Sequence, residues 1–180
     1  MSQSYEIDMC HGPLFGKIIR FSIPLMLSGI LQLLFNAADI IVVGRFVGST
    51  ALAAVGSTSS LINLLINLFI GFSVGANVLV ARFHGAGRDD EVNETVHTAI
   101  TLSMVSGIFL LILGVTVTRT LLIWMGSPND VLDQSSLYLK IYFLAMPATL
   151  LYNFGSSILR AVGDTKRPLF YLVTAGVINV

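Results

Sequence analysis

Apolar residues fill most of this chain, and the polar ones that interrupt them fall into two patterns. In the first, clusters of glycine, proline and charged residues cut the chain into five apolar segments, predicting helices at about 14–43, 51–83, 95–125, 131–159 and 168–180. The breaks are Gly44 to Thr50, His84 to Asn93, the turn Gly126-Ser127-Pro128-Asn129-Asp130, and a basic loop containing Gly163-Asp164. The first four segments are long enough to cross ~30 Å of hydrocarbon at about 1.5 Å per residue. The expected fold class is therefore all-α, a polytopic transmembrane helix bundle, with residues 1–13 as a polar leader and 14–180 as a partial bundle. Pro168 suits the first turn of the last helix. The stretch from there to Val180 rises only about 20 Å, so the fifth helix is expected to be incomplete and the chain truncated within it.

In the second pattern, polar residues recur at helical spacing inside the apolar segments. Gly29, Gln32, Asn36 and Asp39 share one face of the first helix. Gly56, Ser60, Asn63, Asn67 and Gly71 line a face of the second. Tyr138, Tyr142, Ala145, Thr149, Tyr152 and Ser156 line a face of the fourth, with Asn153 beside them. Lipid offers amides and hydroxyls no partners, so such faces turn toward protein or water. Packing seams account for the glycines and serines, and Gly71-Phe72-Ser73-Val74-Gly75 has the small-xxx-small form of a helix contact. The amides of Asn63, Asn67 and Asn153 suit either a seam or a binding cavity.

Asp39 is a different case. An aspartate at the centre of a membrane helix costs roughly 2.5–3.5 kcal/mol. No lysine or arginine lies at its depth within the segments; Lys140 and Arg45, both toward the outer end, are the candidates for a structural ion pair. The functional reading is a carboxylate that binds an ion, a proton or a cationic ligand, since desolvation raises a carboxyl's proton affinity toward neutral pH. Tyr138 and Tyr142 offer ring faces to organic cations or act as interface anchors. Pro24, fifteen residues before Asp39, removes a backbone hydrogen bond and permits a hinge, and Pro147 does the same in the fourth helix.

Composition narrows the class further. Hydrophobic residues make up 54% and charged residues 11% of the chain, against about 25% charged in soluble domains. A net charge of zero argues against a nucleic-acid partner. The lone Cys10 cannot form an internal disulfide, and the leader, with Glu6 and Asp8, is no cleavable signal. With the N-terminus inside, seven basic residues face the cytoplasm and three (Arg45, Arg119, Lys140) face outward, so a cytoplasmic N-terminus is expected. The sequon Asn93-Glu94-Thr95 then lies on the cytoplasmic side. The run Asp89-Asp90-Glu91 beside Arg88 reads as a solvated loop. His11, His84 and His97 lack ligand spacing, and no nucleotide loop, catalytic serine motif or acid pair appears. The expectation is a protein that is not an enzyme and has no cofactor.

Three runs carry a family resemblance: LFNAADIIVVGRFVG (Leu34 to Gly48), GFSVGANVLVARFHGAGR (Gly71 to Arg88) and ILRAVGDTKRP (Ile158 to Pro168). With the ending GVINV, the chain from about Gly12 onward resembles the N-terminal part of a multidrug and toxic compound extrusion (MATE) transporter. The resemblance implies twelve helices in two six-helix bundles, with this chain supplying most of the first and the C-terminal bundle as its missing partner. It implies H⁺ or Na⁺ coupling at Asp39, with Asn36 and Asn179 sharing the site, Na⁺ being the one metal ion it brings. Pro24 becomes the hinge at which that helix bends. Gln32, Asn63, Asn67, Tyr142 and Asn153 are then expected to line the substrate cavity. The expected function is antiport: cationic or amphipathic organic compounds leave across the bilayer in exchange for the ion, by alternating access. Two alternatives stand beside it. A lipid-linked oligosaccharide flippase of the same superfamily needs a basic cavity, and these polar faces carry no lysine or arginine. A non-transporting membrane scaffold would use the stripes for assembly alone.

Overall fold

A computed structural model describes residues 6–9, 12–46 and 48–179, the side chains of residues 49, 50 and 179 excepted. Six helices follow one another: α1 (Leu14–Phe46), α2 (Ser49–Gly85), α3 (Asp89–Trp124), α4 (Leu132–Leu144), α5 (Met146–Ala161) and α6 (Lys166–Asn179). No strand occurs among the described residues. α1, α2 and α3 are each long and apolar enough to cross a membrane. Cys10 and His11 lie outside the described residues.

Three of the helices stop by one device. Gly87, Gly126 and Gly163 sit at φ +66°, +73° and +87°, a region that costs other residues roughly 1–2 kcal/mol. The following residue then turns its N–H back onto a carbonyl five positions earlier: Arg88 to Phe83, Ser127 to Leu122 and Asp164 to Leu159, at 3.0, 3.0 and 2.9 Å. This Schellman-type closure satisfies carbonyls that a helix end leaves bare.

Two sequence expectations change. Asp89, Asp90 and Glu91 form the first turn of α3 rather than a loop, because carboxylates favour the positive end of a helix dipole. There the Arg88 Nε donates to Glu91 Oε1 at 2.8 Å, and that bond is the main cause holding the Glu91 carboxyl below its ordinary value. The second change is that the single helix expected over 131–159 is two helices, parted at Ala145. Pro147 has no N–H to give the Phe143 carbonyl, and its ring crowds that oxygen. The Ala145 N–H bonds Tyr142 at 3.1 Å, a tighter turn than the α-helix makes. Smaller shifts occur elsewhere: α1 runs on to Phe46, α2 begins at Ser49, and α6 begins at Lys166 with Pro168 still in its first turn.

The described residues fall into two compact units. One takes in Asp39–Phe72 and Ile100–Asn153. Its core holds Ile62, Leu110, Leu122, Leu139, Phe143 and Met146, all buried. The contact that sets helix spacing here lies on α3, which had shown no polar stripe. Ser103, Gly107, Leu110, Gly114, Thr118 and Leu122 are all buried at helical spacing. A Cβ on Gly114 would overlap the Phe143 ring, and one on Gly107 would stand 2.5 Å from Pro147 Cα. Close approach of this kind is what small residues permit in membrane helices. The hydroxyls along the stripe bond within α3: Ser103 to the Ile100 carbonyl at 2.7 Å and Thr118 to Gly114.

The other unit takes in the described residues of Met1–Ala38, together with Ser73–Ala99 and Phe154–Val180. Asn77 donates to the Ser157 carbonyl at 2.6 Å, and the Ser157 hydroxyl donates to Ser73 O at 2.9 Å, tying α2 to α5. Gly176 of α6 lies so close under Phe35 of α1 that a Cβ would overlap the ring. Before α1, residues 6–9 form a strap across the α5–α6 turn. The Ile7 N–H faces the Gly163 carbonyl at 3.4 Å, and a Cβ on Gly163 would sit 2.5 Å from Ile7 O. Under the strap, the wholly buried Asp164 accepts from the Lys166 and Arg167 backbone N–H groups at 3.1 Å each, which caps α6. Its second oxygen, Oδ2, stands 3.1 Å from Arg167 Nε without an aligned hydrogen bond.

Candidate functional site

α1 runs unbroken through Pro24, so the proline is accommodated within a continuous helix. Pro24 is buried, and its carbonyl accepts the Ser28 hydroxyl at 2.8 Å. Asp39 lies seven residues before the end of α1, about 10 Å along the axis. Its side chain is exposed, and it forms no ion pair with Lys140, Arg45 or any other described residue. The structural salt bridge offered by the sequence is therefore not made.

Within the unit that holds Asp39, α4 brings a tyrosine pair toward it. The Tyr138 phenol lies within electrostatic reach of the Asp39 carboxylate. Tyr138 and Tyr142, one helical turn apart, set their ring centroids 6.5 Å apart at 36°. Tyr142 is half-buried and packs against the core of that unit. The resulting local group is one carboxylate, two phenols and two ring faces, a set suited to a cation or to a proton in exchange.

The predicted amides present a consistent picture. Gln32, Asn36, Asn63 and Asn67 are exposed and Asn153 is half-buried. None of the five hydrogen-bonds to another described residue. Asn63 and Asn67, four apart on α2, share a face with each other. Asn36 precedes Asp39 by three positions on α1. Asn179 ends α6, and its side chain lies outside what the structure describes. No group of three or more His, Cys, Asp or Glu that could hold a metal ion occurs among the described residues.

Two polar contacts escaped the sequence reading. Ser57 and Ser135 share a hydrogen bond at 3.1 Å between α2 and α4, and Asn77 joins α2 to α5 as described above. Ser57 lies in the hydroxyl run Ser57-Thr58-Ser59-Ser60 and Ser135 beside Ser136, whereas Asn77 stands alone among apolar neighbours; none of the three falls on a stripe. The glycine stripe of α2 departs from expectation in the opposite sense. Gly56, Gly71 and Gly75 have nothing within 4 Å of where a Cβ would stand, so none of them marks a helix contact among the described residues. The seam is on α3 instead, where Gly107 and Gly114 meet bulky partners. Among the described residues, clefts at the basic end are lined in part by the strap, one with Lys17, Arg20 and Lys166 and one with His84, Gly87 and Gly163, and no predicted site residue lines either.

The family model described as MatE matches residues 24–180, nearly the whole bundle. The chain belongs to the MatE family. Among curated MatE relatives it is 36% identical over 160 residues to the probable multidrug resistance protein YoeA of Bacillus subtilis, covering 89% of this chain and 35% of that protein. It is 24% identical over 168 residues to the multidrug export protein MepA of Staphylococcus aureus, covering 93% of this chain and 37% of the other. Among solved structures, a MOP superfamily transporter from Pyrococcus furiosus superposes with a TM-score of 0.88 at 26% identity, over 98% of this chain and 39% of that one. A multidrug resistance MATE family transporter in its outward-facing conformation gives 0.84 at 27% identity, over 94% and 37%. The MatE chain thus spans a little over a third of the length of its relatives. With its apolar helices, the family membership makes this a multi-pass membrane protein of a transporter family.

Proposed function

We propose that this chain contributes the ion-coupling half of an exporter that expels cationic or amphipathic organic compounds in exchange for H⁺ or Na⁺, by alternating access. The observation that carries the reading is Asp39, a carboxylate in a membrane-spanning helix with no cationic partner among the described residues and with Tyr138 in electrostatic reach. A carboxylate without a fixed counter-ion is free to take an exchangeable one. Asn36 and Asn179 are assigned to the same ion, and Pro24 to the bend in α1 that follows its binding. Gln32, Asn63, Asn67, Tyr142 and Asn153 are assigned to the cavity wall. The amides of Gln32, Asn63, Asn67 and Asn153 have no partner among the described residues, as expected of groups that hydrogen-bond to water or substrate rather than hold helices together. The basic residues favour a cytoplasmic N-terminus, and the exporter reading places the protein in the inner membrane.

The coupling argument is one of linkage: ion binding at Asp39 expels substrate only to the extent that it disfavours the substrate-bound state. The test is dye efflux from cells expressing the intact protein, wild type against Asp39→Asn at matched expression. The variant is expected to lose at least tenfold in efflux rate, with folding unimpaired. Efflux at the wild-type rate would return Asp39 to a structural role, and a pH and sodium series on the wild type identifies the ion.

A further inference from the structure

The end of the bundle that carries the N-terminal strap holds a cleft that the transport reading leaves unused. Its volume is about 440 Å³, and its walls include Lys17 and Arg20 from α1, Lys166 from α6, and Glu6 and Asp8 from the strap. Lys17 donates from Nζ to the Asp8 carbonyl at 2.5 Å, so one cation is engaged in holding the strap. Arg20 is exposed and has no hydrogen bond or ion pair with a described residue. Three cations facing two carboxylates leave the cleft net positive, with its open charge on the guanidinium, the group whose fork geometry matches phosphate oxygens. On the same turns of α1, Phe15 and Ile18 expose 79% and 51% of their surface. On α6, Phe170 and Tyr171 expose 62% and 56%, within one to two turns of Lys166. The cleft is thus a cationic pocket on helices that also carry bare apolar side chains, and one of these helices, α1, is long and apolar enough to cross a membrane. That pairing matches an amphiphile better than a free anion, because a soluble phosphate has nothing to lay against Phe15 and Ile18.

We propose that this cleft binds the phosphate of an anionic phospholipid, with the acyl chains along the exposed side chains of α1 and α6, and that the strap carboxylates of Glu6 and Asp8 compete for the same cations. Basic pockets between membrane helices take anionic headgroups in this way. The site is independent of ion coupling at Asp39 and stands or falls separately from it.

The experiment is lipid binding to the purified protein in detergent, read by native mass spectrometry and by thermal midpoint, with phosphatidylglycerol, phosphatidylcholine and inorganic phosphate as probes. Phosphatidylglycerol is expected to be retained in preference to phosphatidylcholine. Arg20→Gln, at an exposed position where folding is not at stake, is expected to weaken that binding about fivefold, the effect of one basic residue at an anionic surface. Glu6→Gln with Asp8→Asn is expected to tighten it. Equal retention of the two lipids, or a phosphatidylglycerol preference that survives Arg20→Gln and the Lys17→Gln, Arg20→Gln, Lys166→Gln combination, would overturn the site. Displacement of the lipid by an equal concentration of inorganic phosphate would overturn the lipid assignment in favour of a free anion.

Discussion

A charged or conformationally special residue is informative here only together with its neighbours. Asp39 was conspicuous in the sequence because aspartate in an apolar run is costly, and that inference needed no coordinates. What the sequence left open was whether Arg45 or Lys140 neutralises it. The structure settles that point among the described residues by leaving the carboxylate unpaired and near Tyr138. Asp164 is the converse case. It lies in the basic loop that separates the fourth and fifth apolar segments, yet it is wholly buried and caps α6. Nothing in its immediate sequence signals burial, since the strap that covers the turn comes from more than 150 residues earlier. Gly163 carries both constraints of that turn, a left-handed backbone and Ile7 against its α-carbon. Gly163→Ala is expected to destabilise the protein by about 1–3 kcal/mol, readable as a lowered thermal midpoint in detergent. An unchanged midpoint would mean that the strap is not seated.

At the level of whole helices, the existence of each apolar segment was legible and its internal continuity was not. Hydropathy gave the run over 131–159 as one helix with a hinge permitted at Pro147, and the structure goes further, a missing N–H and a crowded carbonyl splitting it at Ala145. Packing faces were harder still. The eye is drawn to asparagine and tyrosine stripes, but the tightest helix contact in its unit runs along α3 through residues that carry little chemistry. Gly114→Ala is expected to cost roughly 1–3 kcal/mol through overlap with Phe143. Gly71→Ala, with open space at its Cβ position, is expected to be neutral or mildly stabilising. Comparing the two in the same thermal or denaturant assay separates a seam from a glycine that is merely apolar and small. If Gly71→Ala proved the more damaging, the face assignment would be wrong.

For the molecule as a whole, charges outside the membrane segments contribute little to stability. Arg119 meets Asp133 at 2.6 Å between α3 and α4, but both side chains are largely exposed, and pairs of this kind contribute about 0–1 kcal/mol. Arg119→Gln is therefore expected to shift the thermal midpoint by no more than a few degrees at low salt and less at high salt. Glu91 follows the same logic with a defined pH sense. Its carboxyl is held below the ordinary value of 4.5 by Arg88, so its small stabilisation is complete above that value and fades as the pH falls through the lower folded-state value. Acidification near neutrality should leave this pair untouched, and any activity change there belongs to another group.

The narrow face of α3 has a consequence for how this sequence can change over time. Where two helices touch through glycine and a ring, the position has no smaller residue to fall back on and no room for a larger one, so variation there is closed in both directions. One turn round the same helix, Leu102, Val105, Phe109 and Ile112 stand in the open, and any apolar residue of similar length serves equally well. Tolerance to substitution along α3 should therefore rise and fall with a period of about 3.6 residues. The positions most resistant to replacement would be the chemically plainest ones, Gly107 and Gly114.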